Sequence, residues 1–282
     1  MWSQERFGKN NELFGIVQEP SNLTQKDSLV ITLPGLGQAM SEKNYLFSNL
    51  RKRLALTEQW QVQFDYFGHG DSYGELGDAS ITSMVNNTLE VINEVTKYNK
   101  PRCIYLVGNA LGGIIALKVI SQLENKVNAE IIPILISPPS HLPKIDELIS
   151  DHVIQKVKKE GRLDSQYFVP GYDYYTLSDF NLEQYKYFTS LGAHMLYLHG
   201  QCISYNMLKE LNELEPVELF KKCQNTCHVI VGKEDKDAQT LSELQNVLMY
   251  ELQDVAFYHQ HPAAMDELID IIQNIIRNNE CI

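Results

Sequence analysis

Apolar residues along the chain come in short runs separated by longer amphipathic stretches. Ser28–Leu33, Gln61–Phe67, Cys103–Val107, Ile131–Ile136, His228–Val231 and Val255–Tyr258 are rich in Val, Ile, Leu and aromatic residues. Short runs of this kind, bounded by turn residues, predict buried strands. Between them, Ser83–Lys97, Leu111–Leu123 and Ala264–Arg277 carry apolar residues at helical spacing. In the last of these, Leu268, Ile271, Ile272, Ile275 and Ile276 share one face. Strands alternating with helices predict an α/β fold, a mostly parallel sheet flanked by helices.

From Ser140 to Thr226 this rhythm stops, and no run predicts a sheet strand. Helical patterns at Ile145–Lys159 and Tyr205–Cys223 frame the segment Tyr167–Phe188, where nine of 22 residues are aromatic. Aromatic residues make up 10% of the whole chain, so the segment is a local excess. It reads as a helical cap inserted into the core. The expected division is residues 1–139 and 227–282 for the core and 140–226 for the cap. The rings either line a hydrophobic binding site or form a small core of the cap itself.

Five of the predicted strands end in turns rich in Gly, Pro or acidic residues: Pro34-Gly35-Leu36-Gly37, Gly68-His69-Gly70-Asp71-Ser72, Gly108-Asn109-Ala110-Leu111-Gly112, Ser137-Pro138-Pro139 and Gly232-Lys233-Glu234-Asp235. In an open parallel sheet such turns lie at the carboxyl edge, where ligand clefts form.

Taken in order, these turns resemble the α/β-hydrolase family. Gly108 and Gly112 flank position 110 at the spacing of that family's G-x-S-x-G nucleophile elbow. The resemblance covers most of residues 14–277. It implies an oxyanion hole built from the backbone N–H groups of Leu36 and Leu111, with Gly35, Gly37 and Asn109 beside the substrate. It implies Asp235 as the catalytic acid, with Asp237 and then Glu234 as competitors. It implies His261 as the catalytic histidine, with His259 as the alternative, because a strand reaching Tyr258 would hold His259 almost within it. His69, in the Asp65–Ser72 turn, is expected to be structural. Tyr172, Tyr174 and Tyr175 of the cap are expected to contact substrate. Taken singly, each element has an ordinary alternative: a plain strand–helix turn, a surface acid, a helix-start histidine. The agreement of five turns in one order carries the reading.

The family's central elbow residue is Ser, less often Cys or Asp. Here it is Ala110. A methyl group attacks nothing, and losing a triad nucleophile costs roughly six decades of turnover. Two explanations follow. In the first, Ala110 replaces the serine of an active hydrolase that cleaves a carboxylic ester or thioester, or an amide or depsipeptide bond, of a hydrophobic acyl substrate. Retention of Asp235 and His261 favours this one. In the second, the chain is a naturally non-catalytic ligand-binding homologue. A further alternative is an acyltransferase or type II thioesterase of a biosynthetic pathway, which would need an acyl-carrier partner.

Composition narrows the partners. The net charge is −12, which repels polyanions, so no nucleic acid is expected. Arg51-Lys52-Arg53 and Lys156-Val157-Lys158-Lys159 read as solvated helix faces. No run approaches the roughly 18 apolar residues of a membrane span, and Met1–Glu12 is too polar for a signal peptide. The five cysteines fit no disulfide framework. Free thiols and a cytoplasmic location are therefore expected. Cys223, Cys227 and His228 supply too few close ligands for zinc, and neither a metal nor a cofactor is expected.

Overall fold

The computed structural model describes residues 2–21, 27–123, 127–172, 180–194, 198 and 200–279. Its strands are β1 (Trp2–Phe7), β2 (Leu13–Gln18), β3 (Ser28–Leu33), β4 (Trp60–Phe64), β5 (Cys103–Asn109), β6 (Glu130–Ile136), β7 (Arg162–Asp164), β8 (Cys202–Ser204), β9 (Cys227–Gly232) and β10 (Val247–Leu252). Eight of them form one sheet in the order β1-β2-β4-β3-β5-β6-β9-β10. The β1/β2 and β2/β4 pairs are antiparallel and the others parallel. Strands β7 and β8 pair antiparallel on their own between β6 and β9, so residues 140–226, where the sequence predicts no sheet strand, supply a small second sheet. The principal helices are α1 (Leu46–Ala55), α2 (Ile81–Val95), α3 (Leu111–Leu123), α4 (Asp151–Glu160), α5 (Leu182–Ser190), α6 (Tyr205–Asn212), α7 (Pro216–Lys222) and α8 (Pro262–Asn278).

The strand period of two sorts side chains onto two covered faces. In β5, Ile104 and Leu106 join a core with α2, α3 and the cap, while Cys103, Tyr105 and Val107 join a second core with α1 and α8. Burial on both faces is why the central strands read as unbroken apolar runs.

Three strands escape that pattern; of these, β2 alternates buried and half-buried positions. Strand β1 is exposed at all but its last residue, so its polar sequence gives no apolar signal. The final strand is Val247–Leu252, and the stretch predicted at Val255–Tyr258 is a turn leading into a short 3₁₀ helix, Tyr258–Gln260. Strand β10 pairs with β9 alone and is largely uncovered at its middle positions, as an edge strand is. Its apolar content is therefore diluted.

The described aromatic rings of residues 168–188 pack on one another and join the core on the α2–α3 face of the sheet. Tyr172 packs edge-on against Phe180 with centroids 4.9 Å apart, and Tyr185 lies 5.1 Å from Tyr172. Phe168 and Phe188 are buried together. Tyr174 and Tyr175 lie outside the described residues.

The expectation of five free thiols is corrected at one position. Cys202, Cys223 and Cys227 are free, but Cys103 is disulfide-bonded. Cys103 opens β5, and its sulfur lies 3.9 Å from the Asn279 carbonyl just past α8. That proximity comes from helix packing and leaves no trace in local spacing. Cys281 lies outside the described residues.

The β5–α3 turn is the tightest join in the fold. A Cβ on Gly108 would lie 2.4 Å from the Gly112 carbonyl oxygen, and one on Gly112 would lie 2.0 Å from that of Leu33. The helix thus starts against the sheet with no room for a methyl group. Gly112→Ala is expected to lower stability by about 3 kcal/mol or more, the cost of overpacking against rigid backbone. Urea unfolding would measure it, and an unchanged midpoint would contradict this account of the turn.

Candidate active site

Ala110 sits between β5 and α3 with φ +50°. The left-handed region costs a non-glycine residue about 1–2 kcal/mol. The turn is held in place by the Ala110 N–H donating to the Ile136 carbonyl at 2.9 Å. This is the sharp elbow that the glycine spacing implied, and its methyl group is buried.

The N–H groups of Leu36 and Leu111 converge. Both donate to one oxygen, the carbonyl of Leu191, at 2.9 and 3.3 Å. Two donors aimed at one oxygen beside the elbow are what an oxyanion hole requires. Here the oxygen comes from the protein's own cap.

Local sequence explains how it gets there. Helix α5 ends at Ser190, and Gly192 follows with φ +94°. The Gly192 N–H bonds back to Thr189 and the Ala193 N–H to Phe188, both at 3.0 Å. This is a Schellman ending, which needs glycine at the left-handed position. It leaves the Leu191 carbonyl pointing outward, at the negative end of the α5 dipole. Leu111 is the first residue of α3, whose start is the positive end of another dipole. The end of one helix is docked on the start of the other.

Glycines make the approach close enough. A Cβ on Gly192 would meet the Gly35 Cα at 2.9 Å and the Ala110 Cβ at 3.2 Å, and a Cβ on Gly35 would meet the Gly192 Cα at 2.9 Å. The Gln38 side chain adds a bond from Nε2 to the Gly192 carbonyl at 3.0 Å. We refer to Thr189–Ala193 as the strap.

The cavity left beside Ala110 is about 30 Å³, room for a water or two. Besides strap residues, its walls include Glu42, Lys43, Asn109, Ser137, Tyr258 and His259. Asn109 is thus in the wall as expected. Gly35 lies against the strap, its N–H held by a Glu42 oxygen at 2.8 Å. Gly37 and Tyr172 do not line this cavity. Gly37 lines a separate surface groove that also includes His69. His69 is buried and held down to about 4 by desolvation, in keeping with a structural role.

The histidine in the cavity wall is His259. His261, the preferred candidate, is exposed, and its Nδ1 caps α8 by accepting from the Ala263 N–H at 3.2 Å. A strand end at Tyr258 would favour His261 over His259. The strand ends at Leu252, which puts His259 well out in the loop. The Asn44 side chain and the Tyr258 hydroxyl tie this loop to the Lys43–Asn44 turn.

Asp235 is half-buried after β9 and caps the short helix Lys236–Gln239, accepting from the Ala238 N–H at 3.2 Å. Asp237 and Glu234 are exposed. Burial, with Asp237 nearby, raises the Asp235 carboxyl above its ordinary range. Among the described residues, no hydrogen bond joins Asp235 to His259 or His261. Desolvation, then Lys43 and His194, holds His259 down to about 4. Nothing there favours an imidazolium, the form a general base must reach.

Sequence reasoning missed Glu42, Lys43, Gln38, Ser137 and the strap. Only Gly192, set among small residues after an amphipathic helix, carried any signal. Glu42 is fully buried, and desolvation pushes its carboxyl from 4.5 up to about 7 despite bonds from Lys43, Gly35 and Asn109. Among the described residues, no cluster of His, Cys, Asp or Glu is arranged to hold a metal, and no helix is long and apolar enough to cross a membrane.

The raised Glu42 value has a definite sign. The folded state keeps a proton that the unfolded chain has lost, so this group's stabilising contribution is full below pH 4.5 and falls as pH rises to about 7. Glu42→Gln removes that loss, and the histidine contributions cancel in the difference. The unfolding free energy of the variant minus wild type should rise between pH 4.5 and 7, by at most about 1.4 kcal/mol per pH unit. Urea titrations across that range would test it, and a flat difference would show ordinary ionisation of Glu42.

Comparison with known proteins gives a consistent picture. The chain matches the family described as serine aminopeptidase, S33, over residues 24–169. A putative hydrolase from Agrobacterium vitis S4 is similar at 18% identity, with TM-score 0.67 and 98% of each chain covered. Est1E from Butyrivibrio proteoclasticus, solved with ferulic acid bound, is similar at 16% identity, with TM-score 0.61, covering 94% of this chain and 96% of that one. The proline iminopeptidase of Mycobacterium smegmatis is similar at 12% identity, with TM-score 0.59 and 99% of each chain covered. At these identities the likeness establishes the α/β-hydrolase fold. No curated protein matches the chain significantly.

Proposed function

Because this chain belongs to the serine aminopeptidase (S33) family of α/β hydrolases, we propose that it is a non-catalytic member of that family, a binder of small hydrophobic acyl ligands. One observation carries the reading. The elbow is formed around Ala110, yet among the described residues Asp235 reaches neither histidine. Substituting a serine by alanine in an active hydrolase would remove one oxygen and leave the acid–histidine pair assembled. Here, among the described residues, no hydrogen bond joins Asp235 to His259 or His261.

The acyl class of ligand rests on two supports. The hole beside Ala110 is shaped for a carbonyl or carboxylate oxygen, and Lys43 lies in the cavity wall. A fold relative, Est1E, holds ferulic acid, itself a carboxylic acid.

A second reading keeps the chain as an ester or thioester hydrolase with serine as the native residue at position 110. The intact glycine frame of the elbow favours it. Ala110→Ser separates the two. Assayed with p-nitrophenyl esters and thioesters of several chain lengths, the variant is expected to show no turnover above wild type and no adduct with a fluorophosphonate probe. Recovery of either, on a scale approaching the roughly six decades a nucleophile supplies, would overturn the non-catalytic reading.

A further inference from the structure

We infer that the Leu191 carbonyl is an internal ligand of the oxyanion hole, and that the strap Thr189–Ala193 must leave before an acyl ligand's carbonyl or carboxylate oxygen binds there. The ligand class rests on the function proposed above. The occupancy of the hole does not.

The geometry is that of a bound ligand. The Leu36 and Leu111 N–H groups meet on the Leu191 oxygen, and the next carbonyl, of Gly192, takes the Gln38 amide. The carbonyl carries the negative end of α5, so it presents to the donors partial charge of the sign an oxyanion would. The remaining cavity, about 30 Å³, admits no acyl chain. A ligand therefore competes with the strap.

Ala110 lies beside the strap. Its Cβ lies 3.2 Å from where a Cβ on Gly192 would stand, so the glycine at 192 is what admits the strap next to the elbow.

Competition makes a quantitative demand. If the binding-competent state is a small open fraction, apparent affinity scales with that fraction. Exchange of the Leu36 and Leu111 amide hydrogens scales with it too, since both are bonded until the strap opens. Gly192→Ala places a methyl group against Gly35 and Ala110 and should raise the open fraction. Gln38→Ala removes one tie without adding bulk, and serves if Gly192→Ala does not fold.

The test is amide exchange by NMR at Leu36 and Leu111, with calorimetric titration of octanoate and of methyl octanoate, on wild type and both variants. The expected result is slow exchange in wild type, roughly 10- to 100-fold faster exchange in Gly192→Ala, and a gain in affinity for either probe by the same factor. Three results would overturn the inference: exchange in wild type as fast as in exposed loops, no change in either variant, or faster exchange with no matching gain in affinity. Turnover by Ala110→Ser would sink the non-catalytic reading and leave the exchange rates as evidence on the strap.

Discussion

The structure of the site depends on one contact, the docking of the Leu191 carbonyl, at the C-cap of α5, on the first N–H of α3 and on that of Leu36. Opposite ends of two helix dipoles meet there, and each supplies groups the other helix leaves unpaired. The contact requires glycine at 35 and 192. It also explains why the cavity is so small. A free oxyanion hole would expose two aligned N–H groups at the floor of an open cleft. Here they are satisfied within the fold.

Among the described residues, no carboxylate is hydrogen-bonded to the ring of His259. A triad needs a carboxylate that fixes the histidine tautomer and stabilises the imidazolium. Desolvation lowers the His259 pKa most, and Lys43 and His194 add to that effect. Asp235 is occupied in capping a short helix. The buried acid near the elbow is Glu42, and its oxygens are held by the N–H groups of Gly35 and Lys43. It supports the turn that aims Leu36, a structural task, and burial keeps its proton on up to about 7.

Much of the fold was legible because its signals are local. The central strands announce themselves by apolar runs, and the elbow by its place in an ordered set of five strand-end turns. Leu36 and Leu111 are named by the family resemblance, and the N–H groups of both bond the Leu191 carbonyl. What was not legible depends on tertiary contact. β1 and β10 are edge strands with exposed positions, so neither stands out from loop sequence. Misplacing the last strand by several residues moved the choice from His259 to His261. The tyrosine cluster gave its location but not its direction, because rings that pack on one another and rings that line a cleft have the same composition. The strap was hidden for the same reason. A glycine after a helix predicts a helix end and says nothing of what the freed carbonyl meets.

The central claim is a hydrogen bond, and it has a direct observable. Scalar coupling across hydrogen bonds, measured by NMR on deuterated, doubly labelled protein, links a donor nitrogen to the carbonyl carbon that accepts from it. The account predicts a cross-peak from the Leu36 nitrogen to the Leu191 carbonyl carbon, the shorter of the two contacts at 2.9 Å. A Leu36 amide with no coupling to Leu191 and rapid exchange with water would mean that the hole stands open, and would contradict it.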